Sequence, residues 1–426
     1  MRADTVRRGP SSVSSRDGPA SLRVLIVHGR YRSAMPSGEN KVVDRESDLL
    51  RDGGVEVGHH ERASDEIAEW STARRALLPA RVVWSGAERR DLRRSIRRFR
   101  PSVVHVHNTF PLLSPSVLSA CADEGVPVVM TLHNFRLACA NGMLLRDDHP
   151  CEDCVGRLPL PAVRHGCYRD SRAATLPVAA LIATHRALRT FARHVDTFIL
   201  LTEFGRQIMG RAGLPADRMV VKPNFVPDPG SVRRGPGRHL LFLGRLEHAK
   251  GFDLVLDAWR DQAGGGGTLV VAGDGDLRAE AESAAAADPT VRYLGQCPPE
   301  RVAELLVDAR ALLLPSRWYE GLPLSVLEAF AAGVGAIVSD HGSFRDITGP
   351  DHAGGGSAAL RVPPGDVSAL GGAMARLLVD DRLSISLGQH ARVAYEERFS
   401  ADRSLTQLLD IYRDVIARRS GLREHS

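Results

Sequence analysis

The chain has 426 residues, 43% hydrophobic and 25% charged, with a formal net charge of +5. That length exceeds what one hydrophobic core ordinarily holds, so two domains are expected; the composition excludes a disordered or fibrous chain, and the small charge excess gives no reason to expect nucleic acid. No run of eighteen uncharged apolar residues occurs, which excludes an ordinary membrane-spanning helix.

Residues 1–20 are polar, rich in Arg, Ser, Pro and Gly, and without the apolar centre of a secretory signal, so they read as a disordered leader. The compartment expected from this is the cytosol, where the six cysteines would be reduced unless a metal holds them. LRVLIVH from Leu22 is a strand-length apolar run ending at Gly29, and a helical pattern follows from Gly38 to Arg51. Further strands are expected at VEVGHH from Val55, SVVHVHN from Ser102, VPVVMTLHN from Val126 and TFILLT from Thr197. Short continuous apolar runs alternating with helix-length segments predict a parallel sheet covered on both faces.

Between the second and third of these strands, Arg89–Arg100 places Leu92, Ile96 and Phe99 on one helical face among seven arginines. Two readings stay open: a surface helix packed on its own sheet, or a patch drawn to the anionic inner face of a membrane, which would suit a lipid-linked acceptor. After the fourth strand, Cys139, Cys151, Cys154 and Cys167 follow one another with eleven, two and twelve residues between them, in a stretch without periodicity. One C-x-x-C with two outlying cysteines is enough for a structural four-thiolate zinc; unlinked reduced thiols and a disulfide or iron–sulfur cluster are the other readings.

Pro227–His239 is dense in Pro, Gly and Arg and reads as a linker, which sets the first domain at 21–227, with an insert at 139–167, the linker at 228–238 and the second domain at 239–395. Strand patterns restart at HLLFLGR from His239, TLVVAGDG from Thr268, VRYLGQ from Val291, ALLLPS from Ala311 and GAIVSD from Gly335. A second doubly wound domain is expected, with ligands at the carboxyl ends of the strands and a cleft between the two domains. From Asp380 to about Arg419 the pattern is helical with a break near Phe399 and Ser400, and residues 396–426 are expected to pack back on the first domain.

Two segments carry the chemistry. In Glu320–Glu328 (EGLPLSVLE), Pro323 suits the first turn of a helix that Gly333 can end. The free helix end at Gly321, Leu322, Pro323 and Ser325 is then an anion site, with Glu320 in the loop beside it and Glu328 about two turns in. In Gly244–Gly251 (GRLEHAKG), Arg245 and Lys250 leave a glycine-flanked turn at a strand end, so two cations can meet one anionic group without a metal. Only three of the 56 basic residues are lysines, namely Lys41, Lys222 and Lys250, and all three are expected in cleft loops.

GRLEHAKG, the Glu320 and Glu328 pair and AGDGDL from Ala272 resemble the matching elements of the retaining GT-B enzymes of glycosyltransferase family 4, over about Leu22 to Arg413. The resemblance implies two Rossmann-like domains facing across a cleft and transfer from a nucleotide-diphosphate sugar to an acceptor hydroxyl, with no cofactor or metal in catalysis. It implies that Arg245 and Lys250 bind the diphosphate, that Glu320 lies beside the transferred sugar and Glu328 beside the ribose, and that His133, at the end of TLHN, meets the sugar near the reacting centre. The loop Pro36–Glu39 resembles the family's glycine-rich loop, with Gly38 near the donor, but Ser37 replaces one of the usual two glycines. In AGDGDL, Arg278 stands where a dinucleotide fingerprint needs its third glycine, which argues against NAD. A nucleotide-sugar epimerase and a non-catalytic sugar-nucleotide-binding protein are the rival functions on the same fold.

Overall fold

The computed structural model describes residues 22–33, 37–261, 266–349 and 356–424. The expected leader at 1–20 and Pro36 of the glycine-rich loop lie outside the described residues.

The first sheet is built from β1 (Arg23–Arg30), β2 (Glu56–Ala63), β3 (Val103–Asn108), β4 (Val128–Leu132), β7 (Thr197–Leu200) and β8 (Met219–Val221), with a two-stranded hairpin β5 (Leu145–Arg146) and β6 (His149–Pro150) between β4 and β7. The second contains β9 (His239–Leu243), β10 (Leu269–Ala272), β11 (Val291–Tyr293), β12 (Ala309–Leu314), β13 (Ala336–Ser339) and β14 (Ala359–Val362). Their orders are β2-β1-β3-β4-β7-β8 and β11-β10-β9-β12-β13-β14, with every pairing within them parallel. The strand order reverses between β1 and β3 in the first sheet and between β9 and β12 in the second, and a doubly wound sheet binds ligand at such a reversal, outside the carboxyl ends of the strands. Strands β3, β4, β7, β9, β10, β12 and β13 are buried on both faces almost throughout, which is why they read as continuous apolar runs rather than as alternation.

Helix α1 (Gly38–Asp52) follows β1 and is capped by Ser37 Oγ, which accepts from Asn40 N at 3.3 Å. Toward the chain end, α-helix Asp381–Ala394 runs through a π turn at Tyr395–Phe399 into the helix Ala401–Glu424. This last helix buries Leu408, Tyr412 and Val415 against Val24, Ile26, Val103 and Val129 of the first sheet. Arg419 Nε donates to Asp196 Oδ1 at 2.8 Å on the same side.

The packing agrees with the first of the two readings of the arginine-rich helix and corrects the expectation for the three lysines. The arginine-rich helix, Gly86–Phe99, buries Leu92 and Ile96 in the first domain's core with Phe99 packed against it, so its apolar face is not available to a membrane. Its arginines are largely committed to acidic neighbours: Arg89 pairs with Asp123, Arg93 and Arg97 both pair with Glu124, and Arg94 pairs with Asp91. Of the three lysines, only Lys250 stands in a loop of the cleft. Lys41 is exposed on α1, and Lys222 is buried just after β8 in an ion pair with Glu46. No helix among the described residues is long and apolar enough to cross a membrane.

Candidate functional site

In the second domain, β9 ends at Leu243 and the GRLEHAKG turn follows. A 3-10 turn, His248–Lys250, closes on Gly251 at φ +71, and a Cβ there would fall 2.1 Å from Pro315 O. Only glycine permits this approach, which lays Lys250 against the end of β12. Lys250 Nζ donates to Glu320 Oε1 at 2.7 Å and stands 5.2 Å from the centre of the Trp318 ring. The same Glu320 oxygen accepts from Ser316 Oγ at 2.7 Å and Trp318 Nε1 at 2.8 Å, and the Glu320 carbonyl accepts from Ser343 Oγ at 2.6 Å. Glu320 is therefore a buried, fully oriented carboxylate, and Lys250 keeps two N–H donors for another anion. Arg245 is not joined to this pair: it is half-exposed and its guanidinium binds Glu247 Oε1 at 2.5 Å.

The helix after Glu320 runs from Leu324 to Ala331, with Pro323 as an extended N-cap rather than in the first turn, and Glu328 as its fifth residue, little more than one turn in. Gly333, at φ +70, follows its end. No side chain caps the N-terminus, so its first N–H groups stay open to an anion. Leu322 is buried and Ser325 half-buried at this end. Glu328 Oε1 accepts from Arg45 of α1 at 3.1 Å, a bond between the two domains.

The first domain meets this helix end at Gly321 and at Leu324. A Cβ on Gly321 would fall 2.7 Å from His133 O, and one on Gly38 would lie 3.8 Å from Leu324 Cδ1. Beside His133, Asn134 Nδ2 and the Tyr31 hydroxyl both donate to Glu39 Oε2 at 3.2 Å, while Glu39 Oε1 is buried without a partner. Burial pushes the Glu39 carboxyl up to about 7 against the lowering effect of Tyr31, Asn134 and Arg136.

Behind His133 lies a buried polar chain. His133 Nε2 is 2.9 Å from His107 Nδ1, His107 Nε2 is 3.5 Å from Glu46 Oε1, and Lys222 Nζ is 3.2 Å from Glu46 Oε2. His105, two residues before His107 and on the same face of β3, places Nδ1 2.6 Å from the Tyr412 hydroxyl and 3.3 Å from Glu46 Oε1, and Nε2 2.8 Å from Thr131 Oγ1. Glu46, His105 and His107 bring ligand atoms within 4.8 Å of one another, yet the Lys222 ammonium on Glu46 and the two hydrogen-bonded nitrogens of His105 suit a proton network better than a cation. Burial holds His105 down at about 4, and it keeps His107 and His133 well below the ordinary imidazole range, aided by neighbouring histidines and Lys222.

Of the residues singled out from sequence, Lys250 and Glu320 are joined directly, Gly321 touches His133, Gly38 faces Leu324, and Glu328 turns to Arg45. Glu46 and His107 were missed, Glu39 was named only as the end of the glycine-rich loop, and Lys222 only among the three lysines expected in cleft loops. The one local signal was the alternation in VHVHN, which puts His105 and His107 on one face of a strand.

The model for Glycosyltransferase Family 4 matches residues 54–228, and that for Glycosyl transferases group 1 matches residues 230–394. The chain is 28% identical over 316 residues to 2-deoxystreptamine glucosyltransferase of Streptomyces kanamyceticus, covering 71% of this chain and 75% of that one. It is 32% identical over 238 residues to an exopolysaccharide phosphotransferase of Streptomyces coelicolor, covering 54% of this chain but only 24% of that longer relative. The crystal structure of HepE from Anabaena in complex with UDP has a TM-score of 0.62 at 14% identity, over 92% of this chain and 100% of that one, a likeness of fold. With two facing doubly wound domains and a family match on each, the chain has the GT-B fold and belongs to the glycosyltransferases of family 4, group 1 type.

Proposed function

We propose that the chain transfers a sugar from a nucleotide-diphosphate sugar to an acceptor hydroxyl with retention of anomeric configuration, in the cytosolic assembly of a polysaccharide or other glycoconjugate. The observation that carries this reading is the junction where Lys250–Glu320 and the uncapped end of the helix Leu324–Ala331 meet His133 through Gly321. The donor's diphosphate lies against Lys250, Arg245 and the helix N–H groups at Gly321, Leu322 and Ser325. Glu320 accepts from the sugar hydroxyls, and Glu328 from the ribose once Arg45 yields it.

The transition state is oxocarbenium-like, with charge growing on the departing diphosphate, so the chain's main contribution is electrostatic stabilisation by Arg245, Lys250 and the helix amides. The reading gives no metal a step in the transfer. The acceptor, whether a sugar, a lipid-linked or a small-molecule hydroxyl, enters from the first domain past His133, Glu39 and Gly38. The name of one relative, a 2-deoxystreptamine glucosyltransferase, supports this class.

The test is a panel of UDP-, GDP- and TDP-sugars. At least one should raise the Tm of the purified protein and then serve as donor to an acceptor pool, with the anomeric configuration of the product read by NMR. Stabilisation by none of them, or an inverted product, would sink the reading.

A further inference from the structure

The segment between β4 and β7 carries the hairpin β5–β6, a short helix Leu160–His165 and the longer helix Arg172–Ala187, with a small apolar cluster around Val82, Ala140, Ala162, Val178 and Ile182. Four separate turns each carry a thiol: Cys154 lies in this cluster, Cys167 packs against it, and Cys139 belongs to the main core of the first domain. Cys139 closes a turn on Phe135 O at 2.9 Å, Cys151 leaves the hairpin with its N–H on Leu144 O at 2.7 Å, Cys154 starts the next turn, and Cys167 follows the left-handed Gly166 with its N–H on Ala162 O at 3.0 Å. Cys139 and Cys154 are buried, Cys151 and Cys167 half-buried, and all four are free of disulfides. Each thiol lies in the electrostatic field of the other three. Four soft sulfur donors brought near one another from unrelated turns are the ligand set of a closed tetrahedral zinc.

The position of the cluster gives it a task. Glu152, between the two cysteines of the C-x-x-C, pairs with Arg211 at the end of the first-domain helix Glu203–Arg211. The same carboxylate faces the Tyr319 hydroxyl, one residue before Glu320 in the second domain. Tyr319 packs edge-on against Phe204 of the first domain with ring centres 4.7 Å apart. On the hairpin, Asp148 acts electrostatically on Arg317 of the same second-domain loop.

We propose that Cys139, Cys151, Cys154 and Cys167 bind one structural zinc ion, and that this knuckle braces the insert against both domains and holds the 316–320 loop in place. Bonds of ~2.3 Å put tetrahedral sulfurs ~3.8 Å apart. The cysteines do not form such a close group here, and Cys139 Sγ is turned to Asn141 Oδ1 at 2.9 Å. Binding therefore requires side-chain rotations that release Cys139 from Asn141. With four thiolates the ion has no open position for a reacting water, so it acts on the transfer only through the loop it steadies.

The experiment needs no donor or acceptor, so it can fail independently of the glycosyltransferase reading. Full-length protein purified without added metal should contain about one zinc per chain, released stoichiometrically when an organomercurial titrates the thiols. C151S and C167S should each fall below about a tenth of an equivalent and melt earlier. E152Q should keep its zinc while amide exchange over residues 316–320 speeds up severalfold, as it should in the cysteine variants. Wild-type protein with less than about a tenth of an equivalent and four freely titratable thiols overturns the metal site. So do disulfides found by mass, or iron with sulfide. Zinc loss or E152Q without any change in exchange at 316–320 overturns the brace. The organomercurial titration of the wild type decides the metal question even if the cysteine variants do not fold.

Discussion

His107 Nδ1 stands 2.9 Å from His133 Nε2, and the carboxylate on the far side of His107 dictates which nitrogen carries the proton. Lys222 Nζ donates to Glu46 Oε2 at 3.2 Å, while Glu46 Oε1 and the His107 Nε2 that faces it at 3.5 Å are both buried without a hydrogen-bond partner; an Nε2–H directed at the carboxylate oxygen is the arrangement that satisfies both. Neutral His107 then accepts at Nδ1, His133 donates from Nε2, and His133 Nδ1 is left as a bare acceptor. The chain Lys222–Glu46–His107 is in this sense a positioning device for His133, of the kind by which a second partner sets an imidazole tautomer. In 15N-histidine NMR the wild type should show His133 as the Nε2–H tautomer, neutral through pH 5 to 8. E46Q should lose the lock and give a mixture. An Nδ1–H tautomer in the wild type would be incompatible with this chain.

Acid stability follows from the same cluster. The folded pKa of His105 is held at about 4 by burial, against which the Glu46 charge acts, while an unfolded histidine titrates near 6.5. Between those values the unfolded chain binds more protons, so stability rises with pH through this window and is lost as pH falls from about 6.5 toward 4. At pH 5 this one group costs about 2 kcal/mol relative to pH 8, and His107 and His133 act in the same sense. The Glu39 carboxyl, raised to about 7, acts in the opposite sense over the same range, so the wild type's net change does not isolate the imidazole. The test is the difference between variants: urea melts at pH 8 and pH 5 should show H105N losing about 2 kcal/mol less than the wild type on acidification, and an unchanged pH dependence in H105N would contradict a buried neutral His105.

The sheets were largely legible in the sequence because strands buried on both faces contain uninterrupted apolar runs, as in Val24–Val27 or Ala311–Leu314. The strands not foreseen are edges. β8 is three residues long with Val220 and Val221 exposed, and in β14 the two middle residues, Leu360 and Arg361, are half-buried. Lys250 and Glu320 were legible because each follows directly on a strand end, so a local motif fixes its place. The His133 support was not, because Glu46, His107, Lys222 and Tyr412 come from four distant segments that only the strand order and the returning last helix bring together. The arginine-rich helix stayed open between two readings because its partners Asp123 and Glu124 lie at the end of a different helix, and spacing within one segment cannot reveal that neutralisation.

Arg245 and Lys250 are predicted to contribute unequally to stability but alike to turnover. Either alanine variant should lower turnover by roughly a hundredfold, as removal of a preorganised charge from a developing anion does. Arg245 is half-exposed and bound only to Glu247, so R245A should melt as the wild type does. K250A leaves the buried Glu320 carboxylate without its cation and should cost about 1–3 kcal/mol. Turnover should be measured well below both melting temperatures. Near-normal rates in both variants would remove these two residues from the leaving-group site.

Gly321 tests the junction itself. A Cβ there meets His133 O at 2.7 Å, and the obstacle is backbone on a buried strand end rather than a side chain that can swing away. G321A should therefore push the Glu320 loop off His133 without disturbing either domain core. The expected result is a loss of turnover of tenfold or more with a nearly unchanged Tm, since a small misplacement of reacting groups costs much in rate. Unchanged turnover would mean that the contact between His133 and Gly321 is not part of the reacting geometry.

Glu320 and Glu328 separate sugar recognition from nucleotide recognition, and Arg45 makes the second role measurable. Glu320 Oε1 is occupied by Lys250, Ser316 and Trp318. E320Q keeps the size but weakens these bonds and those to sugar hydroxyls, so it should lower turnover more than it weakens UDP or GDP binding. Glu328 pairs with Arg45 across the domains at 3.1 Å, and each of the two side chains is about 28% exposed. If Glu328 also binds the ribose, ribose and guanidinium compete for it. E328A should then weaken nucleotide binding, by about tenfold for a lost charged hydrogen bond. R45A frees the carboxylate and should leave that affinity unchanged or improve it. Calorimetric titration of the three variants with UDP and GDP reads the pattern directly. If R45A weakens nucleotide binding as much as E328A does, the pair acts as a unit that fixes the cleft, and Glu328 is not the ribose contact.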